Sequence, residues 1–194
     1  MGERVKRRNV ITAAAVVVAA SVGVGLVVQG SGDLNRIRQG DAFGAEDGSY
    51  EIGMPTVLVN EEVWYMTPSM TNRSSETLTL EDLQPGTTPE GITFIGARLF
   101  EKEVFIAGAP LSWDTGGGSA YDPSTRVSSG VQGLTLLPGQ RFPDDKIIYL
   151  HIRVTTSKRP LKVDGVKFIY EQNGRRYSQT LSASLAIVSQ SQRR

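Results

Sequence analysis

The sequence predicts an all-β domain, a single antiparallel β-sandwich with a β-barrel as the alternative, preceded by one N-terminal transmembrane helix. Three observations predict this architecture. Apolar and polar residues alternate in about seven short runs, as on strands with one buried face. The 21 glycines among 194 residues supply the turns that many short strands need. After an apolar N-terminal run no amphipathic helix is evident, which disfavours parallel sheets because these need crossover helices.

The N-terminal run is the predicted membrane anchor. After a basic head at residues 1–9, Val10–Val28 contains no charge and no proline. As a helix at ~1.5 Å per residue it reaches roughly 28 Å, close to the ~30 Å bilayer core. Four basic residues precede it and only Arg36 and Arg38 follow closely, so the N-terminus is expected in the cytoplasm. The alternative is a cleaved signal peptide, because the small residues near Ser21 suit a peptidase and would give a secreted domain.

The rest of the chain divides into three predicted parts. Residues 29–49 have glycines interleaved with charges and no periodicity, which predicts a flexible spacer. Residues 50–188 form one domain of ordinary size, and 189–194 form a polar tail. If the anchor is retained, the domain lies on the outer side of the cell membrane.

Period-two alternation places the strands of this domain. Lys146–Val154 is the clearest case, because its even-numbered residues from Ile148 onward are aliphatic and its odd-numbered residues include His151 and Arg153. The other predicted strands outside the C-terminal pair are Ile92–Phe100 and Thr77–Leu83, with weaker candidates at Pro55–Tyr65 and Val131–Leu137.

The C-terminal pair of strands has the strongest local signal. Val166–Gln172 and Arg175–Val188 flank Asn173-Gly174, and both positions of such a two-residue turn need a positive φ. A two-residue turn fixes the register of the two strands. It pairs Gln172 with Arg175, and it pairs Tyr170 with Tyr177. One face of this hairpin is apolar apart from Gln179, which predicts that this face is buried.

Two stretches resemble known proteins. The basic head, the Ala/Val-rich anchor, the Gly-rich spacer and a Cys-free β-domain are similar to small membrane-anchored actinobacterial proteins of unknown function. Asn72-Arg73-Ser74-Ser75 before Thr77–Leu80, with Gly91–Ala97 following, resembles the opening strands of bacterial immunoglobulin-like surface domains. The resemblance implies an immunoglobulin-like fold and carries over no activity and no site residue.

Charge is unevenly distributed along the chain. The net charge is +1, which is unlike the basic domains that bind nucleic acid. Residues 45–114 contain twelve acids and three bases, whereas residues 146–194 contain ten bases and two acids. One interpretation is a basic surface that contacts an envelope protein, anionic lipid or an anionic envelope polymer. The other is that acidic early strands lie beside basic late strands and cancel. The predicted interaction residues are Lys158, Arg159, Lys162, Lys167, Arg175 and Arg176.

Catalytic signals are sparse. Asp114-Thr115-Gly116 matches the triplet of aspartic proteases, but there is one copy, and it lies in the Gly-rich loop 108–130. His151 is the single histidine, and no serine or aspartate is nominated beside it. No cysteine, metal-ligand spacing or phosphate-binding loop is present, so no cofactor is expected. The leading hypothesis is a non-enzymatic interaction module of the cell envelope. The alternative is an exported hydrolase that uses Asp114 or His151.

Overall fold

The computed structural model describes residues 36–45, 50–54, 57–101, 123–142 and 145–188. The predicted anchor 10–28, Asp114 and the predicted tail 189–194 lie outside these ranges. Within the described ranges no helix is long and apolar enough to cross a membrane. The regular elements there are β-strands and one short 3-10 helix, Pro123–Thr125, so the all-β prediction is confirmed for this part of the chain.

The described residues form eleven strands. Their bounds are β1 (Arg38–Gln39), β2 (Phe43–Ala45), β3 (Tyr50–Met54), β4 (Glu62–Met66), β5 (Met70–Asn72), β6 (Leu78–Thr87), β7 (Ile92–Glu101), β8 (Thr135–Leu136), β9 (Lys146–Val154), β10 (Leu161–Gln172) and β11 (Arg175–Ile187). Four of them, β1, β2, β5 and β8, have only two or three residues. Three of these, β1, β2 and β5, were not predicted from the sequence, and neither was the five-residue β3, since alternation is hard to recognise in strands that short.

The strands form two main sheets and one small one. The larger sheet has the order β1-β11-β10-β6-β8, and β3 also pairs with β11. The second sheet has the order β4-β9-β7, and β2 pairs with β5. Most pairs are antiparallel, as predicted, but β1 and β3 both run parallel to β11. Each is joined to β11 through a long stretch of chain, so a crossover helix is unnecessary.

One hydrophobic core lies between the two main sheets. The inward residues of β9, which are Ile148, Leu150, Ile152 and Val154, are buried as the alternation predicted. They belong to the same cluster as Phe168 and other inward residues of the larger sheet. The two inner faces therefore share one core, which is the sandwich-like arrangement that the pattern predicts.

The C-terminal hairpin forms with the predicted register. Gln172 pairs with Arg175, and Tyr170 pairs with Tyr177. Asn173 and Gly174 have φ angles of 52° and 68°, as a two-residue turn of this kind requires. The local Asn-Gly signal was sufficient because the turn and the strands it joins are adjacent in sequence.

The predicted spacer 29–49 is wrong over part of its length. Arg38–Gln39 and Phe43–Ala45 are strands, and the side chain of Phe43 is buried in the core. Gln179, the polar residue on the apolar face of the hairpin, accepts a hydrogen bond from Phe43 N at 2.8 Å and donates one to Phe43 O at 2.7 Å. The folded domain therefore begins near Ile37, well before the predicted boundary at residue 50.

Two weaker strand predictions need correction. The strand predicted at Pro55–Tyr65 begins only at Glu62, because residues 58–61 form a turn in which Leu58 O accepts a hydrogen bond from Glu61 N. The strand predicted at Val131–Leu137 is reduced to Thr135–Leu136, since a turn with positive φ at Gly133 precedes it. In both cases apolar residues that lie in a turn extended the apolar pattern from which the strand was predicted.

The outer edge of β6 is protected against further pairing. Beyond Leu80, no described strand pairs with this edge. Leu83 N donates a hydrogen bond to Asp82 Oδ1 at 2.9 Å, so this edge donor is already occupied. Pro85, the next residue that faces the same edge, has no N–H group. Two successive edge positions therefore offer no free backbone donor.

Candidate functional site

The outer face of the three-stranded sheet carries the candidate site. On the central strand β9, alternation directs Ile147, Tyr149, His151 and Arg153 to this face. The register places a residue of β7 directly opposite each of them, and a residue of β4 opposite the last three. The rows are Glu62–Arg153–Thr93, Trp64–His151–Gly96, Met66–Tyr149–Arg98 and Ile147–Phe100. The face is therefore an ordered array of side chains built from three strands.

One end of this face is apolar and buried. Trp64, Phe100, Ile147 and Tyr149 form a cluster separate from the main core, with Met66 packed against it. Phe100 makes edge-to-face contacts with Trp64 and with Tyr149, each at a centroid distance of 5.8 Å. Aromatic pairs in this geometry contribute about 0.5–1.5 kcal/mol beyond their buried area. The cluster holds Trp64 in place beside the polar end of the face.

His151 lies where the apolar end meets the polar end. Its imidazole stacks on Trp64 with ring centroids 3.8 Å apart and an interplanar angle of 10°. Its Nε2 atom lies 2.8 Å from Glu62 Oε2, and Arg153 Nη2 donates a hydrogen bond to Glu62 Oε1 at 2.5 Å. Glu62 thus uses both carboxylate oxygens and fixes the positions of two neighbouring β9 side chains.

The environment favours the neutral form of the imidazole. Burial lowers the pKa of His151 below its usual value, and the Glu62 carboxylate opposes only part of that change. The hydrogen bond from Arg153 lowers the pKa of Glu62, with a smaller contribution from His151. At neutral pH the site therefore combines a carboxylate, a guanidinium group and a neutral imidazole.

Of the two predicted hydrolase residues, His151 lies in the described part of the chain. Asp114 lies outside that part. Among the described residues the hydrogen-bonding partner of His151 is Glu62, and no hydroxyl group bonds to its ring. The same part of the chain has no cluster of three His, Asp or Glu side chains that could hold a metal ion.

The predicted basic interaction residues are spread along the length of β10 and are not gathered in one cluster. Lys158, Arg159 and Lys162 lie around the start of β10, Lys167 lies within it, and Arg175 and Arg176 follow the hairpin at its far end. The twelve residues of β10 separate these groups by roughly 35 Å. Arg159 donates hydrogen bonds to the carbonyl oxygens of Val57, Thr156 and Lys158.

Several late bases instead pair with early acids. Lys162 contacts Glu51 at 3.0 Å, Arg176 contacts Glu81 at 2.6 Å, and Lys146 contacts Glu101 at 2.6 Å. The Arg153–Glu62 pair of the candidate site follows the same pattern. Four of the ten late bases thus lie beside early acids, as the second of the two interpretations expects for these pairs.

Sequence reasoning missed Glu62 and Trp64 as partners of His151. Glu62 is 89 positions from His151 in sequence, and their contact depends on the register between β4 and β9. The one available signal was the alternation of β9, which placed His151 and Arg153 on the same face.

Comparisons with known proteins add little to this geometry. No known protein family matches the sequence, and no curated protein matches it. A solved structure of the VesB protease from Vibrio cholerae is similar, with a TM-score of 0.37 and 11% sequence identity. The match covers 76% of this chain and 32% of that chain, so this chain spans about a third of the length of that protease. A likeness at this level assigns no activity.

Proposed function

We propose that this protein is a membrane-anchored, extracytoplasmic β-sandwich of immunoglobulin-like type that binds another component of the cell envelope without catalysing a reaction. The apolar run 10–28, with basic residues before it, supports the anchor and a cytoplasmic N-terminus. The folded domain begins near Ile37, so the spacer between the anchor and the domain is limited to residues 29–36.

The order of the strands supports the immunoglobulin-like assignment. Lettered along the chain, β4, β6, β7, β9, β10 and β11 correspond to strands B to G. The larger sheet then contains C, F and G in that order, and the second sheet contains B, E and D. These are the two strand groupings of immunoglobulin domains. Because that fold serves many functions, the assignment by itself does not select one.

The observation that carries the binding proposal is the exposed part of the candidate site. We call this surface the outer patch and define it as Thr93, Ile95, Arg98, His151 and Arg153. Ile95 is 44% exposed in spite of being a large aliphatic residue, and the exposed Thr93 and Arg98 lie within three residues of it on β7. Arginine and apolar groups beside buried aromatic residues are typical of protein interaction surfaces.

Site-specific photo-crosslinking in native cells tests this proposal. A photoreactive amino acid replaces Thr93 in the outer patch, and a matched variant carries it at Thr180, which is exposed on the outer side of the larger sheet. We expect the Thr93 variant to capture a defined envelope component that the Thr180 variant does not capture. Equal capture by the two variants, or no specific product with either, would contradict the proposal.

The anchor has its own test. Membrane fractionation of the full chain, followed by determination of its mature N-terminus, distinguishes a retained anchor from a cleaved signal peptide. We expect the full chain in the membrane fraction with residues 10–28 present. A mature N-terminus near Ser21 and a soluble product would show that the segment is a cleaved signal peptide and that the domain is secreted.

A further inference from the structure

The outer patch contains a gap beside the imidazole of His151. An irregularity in β7 between Phe94 and Gly96 shifts the register, so that Gly96 lies directly opposite His151. A Cβ atom added to Gly96 would meet no heavy atom of the described residues within 4 Å. Every other residue in the rows of this face has a side chain, so the gap is a local feature of the Trp64–His151–Gly96 row.

The imidazole forms one wall of this gap. Its ring lies in the same row between Trp64 and Gly96, and Trp64 covers one face by stacking. The opposite face is therefore directed toward Gly96. The side chain of His151 remains 12% exposed, so the imidazole is not fully enclosed by protein atoms.

The gap is flanked by positive charge. Arg98 and Arg153 lie on its two sides along the strands, and both act electrostatically on His151 in the direction that disfavours protonation. Glu62, the acid in contact with this group, already accepts hydrogen bonds from Arg153 and His151. Arg98 is exposed and forms no ion pair with any described residue. The two guanidinium groups thus make the space over Gly96 electropositive.

We propose that the space over Gly96 is a binding subsite for an oxyanion, a carboxylate or phosphate group carried by an anionic polymer of the cell envelope. The guanidinium group of Arg98 donates hydrogen bonds to the oxyanion, Arg153 adds charge from the opposite side, and the imidazole face and Gly96 form the walls. This inference deepens the proposed function and rests on it for the identity of the polymer, while the oxyanion chemistry is independent of any partner.

The single histidine of the chain makes the subsite directly observable. In NMR spectra of the full chain in zwitterionic nanodiscs, the imidazole signals of His151 need no assignment. We expect titration with inorganic phosphate or acetate to shift these signals saturably. We expect polyphosphate or polygalacturonate to bind more tightly than the single anions because several groups are linked, and the better of the two polymers identifies the oxyanion.

Three variants separate this subsite from general electrostatic attraction. Arg98→Gln should weaken anion binding by about tenfold, as expected for loss of one charge-assisted contact. Gly96→Leu should abolish it by filling the gap, with the unfolding midpoint used to confirm folding. Arg175→Gln removes the same charge at a distant exposed position and should leave binding within about twofold, at matched ionic strength.

The outcomes distinguish this inference from the proposed function. Absence of a saturable His151 shift, or equal losses with Arg98→Gln and Arg175→Gln, would overturn the subsite. If crosslinking from Thr93 then still captures a partner, and Arg98→Gln does not reduce that capture, the binding function stands without the oxyanion subsite. Saturable anion binding without any captured partner would support the subsite and contradict the wider proposal.

Discussion

The outer faces of the two sheets differ in a way that the fold does not require. On the larger sheet, the outward residues of β11 form a row of hydroxyl side chains, Ser178, Thr180, Ser182 and Ser184. On the second sheet, the outward residues of β9 and its neighbours include a buried aromatic cluster and the stacked Trp64–His151 pair. Since the inner faces alone supply the common core, the aromatic outer face is additional to what holds the sheets together.

The ion pairs on the two faces sharpen this contrast. Arg153–Glu62 and Arg176–Glu81 have similar distances of 2.5 and 2.6 Å. The Glu81 pair on the larger sheet involves no imidazole, whereas Glu62 also contacts His151 beside a tryptophan ring. The same chemical pair is thus a surface contact on one face and part of a coupled group on the other, so we expect the two faces to respond differently to substitution and to pH.

The largest effect should come from the aromatic cluster. Phe100→Ala removes a fully buried ring that contacts Trp64 and Tyr149, and we expect a loss of about 3–5 kcal/mol in the free energy of unfolding. Thr180→Ala on the other outer face should change this free energy by no more than about 0.5 kcal/mol. Denaturant unfolding of both variants provides the measurement, and equal effects would mean that the two faces do not differ energetically.

A smaller effect should appear with pH on the second sheet. His151 has a lowered pKa in the folded state, so between that value and the unfolded value of 6.5 the unfolded chain holds more protons. Its neutral form contributes stability that is fully present above pH 6.5 and is lost as the pH falls toward the folded pKa. We therefore expect the free energy of unfolding to decrease as the pH falls below about 6.5.

His151→Asn is the control for this pH effect. The free energy of unfolding of this variant should depend less on pH over the same window than that of the wild type. Glu62→Gln should make the free energy of unfolding depend more steeply on pH, because the carboxylate that favours the protonated imidazole is gone. The contribution of Glu62 itself, whose pKa is lowered, is lost only as the pH falls below 4.5. A wild-type curve that coincides with His151→Asn from pH 7 to 5 would show that the imidazole is not coupled to folding.

The smallest effect should come from the ion pairs of the larger sheet. Arg176→Gln removes a pair whose side chains are both partly exposed, and we expect a loss of 0 to about 1 kcal/mol that shrinks in high salt. Thermal or denaturant unfolding at low and high ionic strength measures it. A loss of several kcal/mol that persists in high salt would indicate that this face, too, contains a coupled group.

The sequence revealed the elements whose signals are local. The Asn173-Gly174 turn and the alternation of β9 each lie within a dozen residues, and both predictions are confirmed. Strands such as Phe43–Ala45 were missed because three residues are too few for a period, and their pairing partners are distant in the chain. Local patterns therefore predicted the long strands, whereas the short ones depend on tertiary contacts.

The candidate site was only partly predictable for the same reason. His151 was recognised and placed on the correct face, but the stack on Trp64 and the contact with Glu62 arise from the register of β4 on β9. The gap depends on the irregularity that sets Gly96 opposite His151, which no sequence pattern indicated. The basic residues chosen from the charge distribution are separated by the length of β10, because the charge distribution along the sequence does not determine which residues lie close together in the fold.

The protected edge of β6 has a consequence for how partners are recruited. Many proteins capture an extended peptide by adding it as a new strand to an open sheet edge, and the same open edges promote aggregation. Here the hydrogen bond from Leu83 N to Asp82, followed by Pro85, removes two successive donors from the edge of the larger sheet. Strand addition is therefore disfavoured at this edge, and copies of the domain at high local concentration would resist edge-to-edge association there.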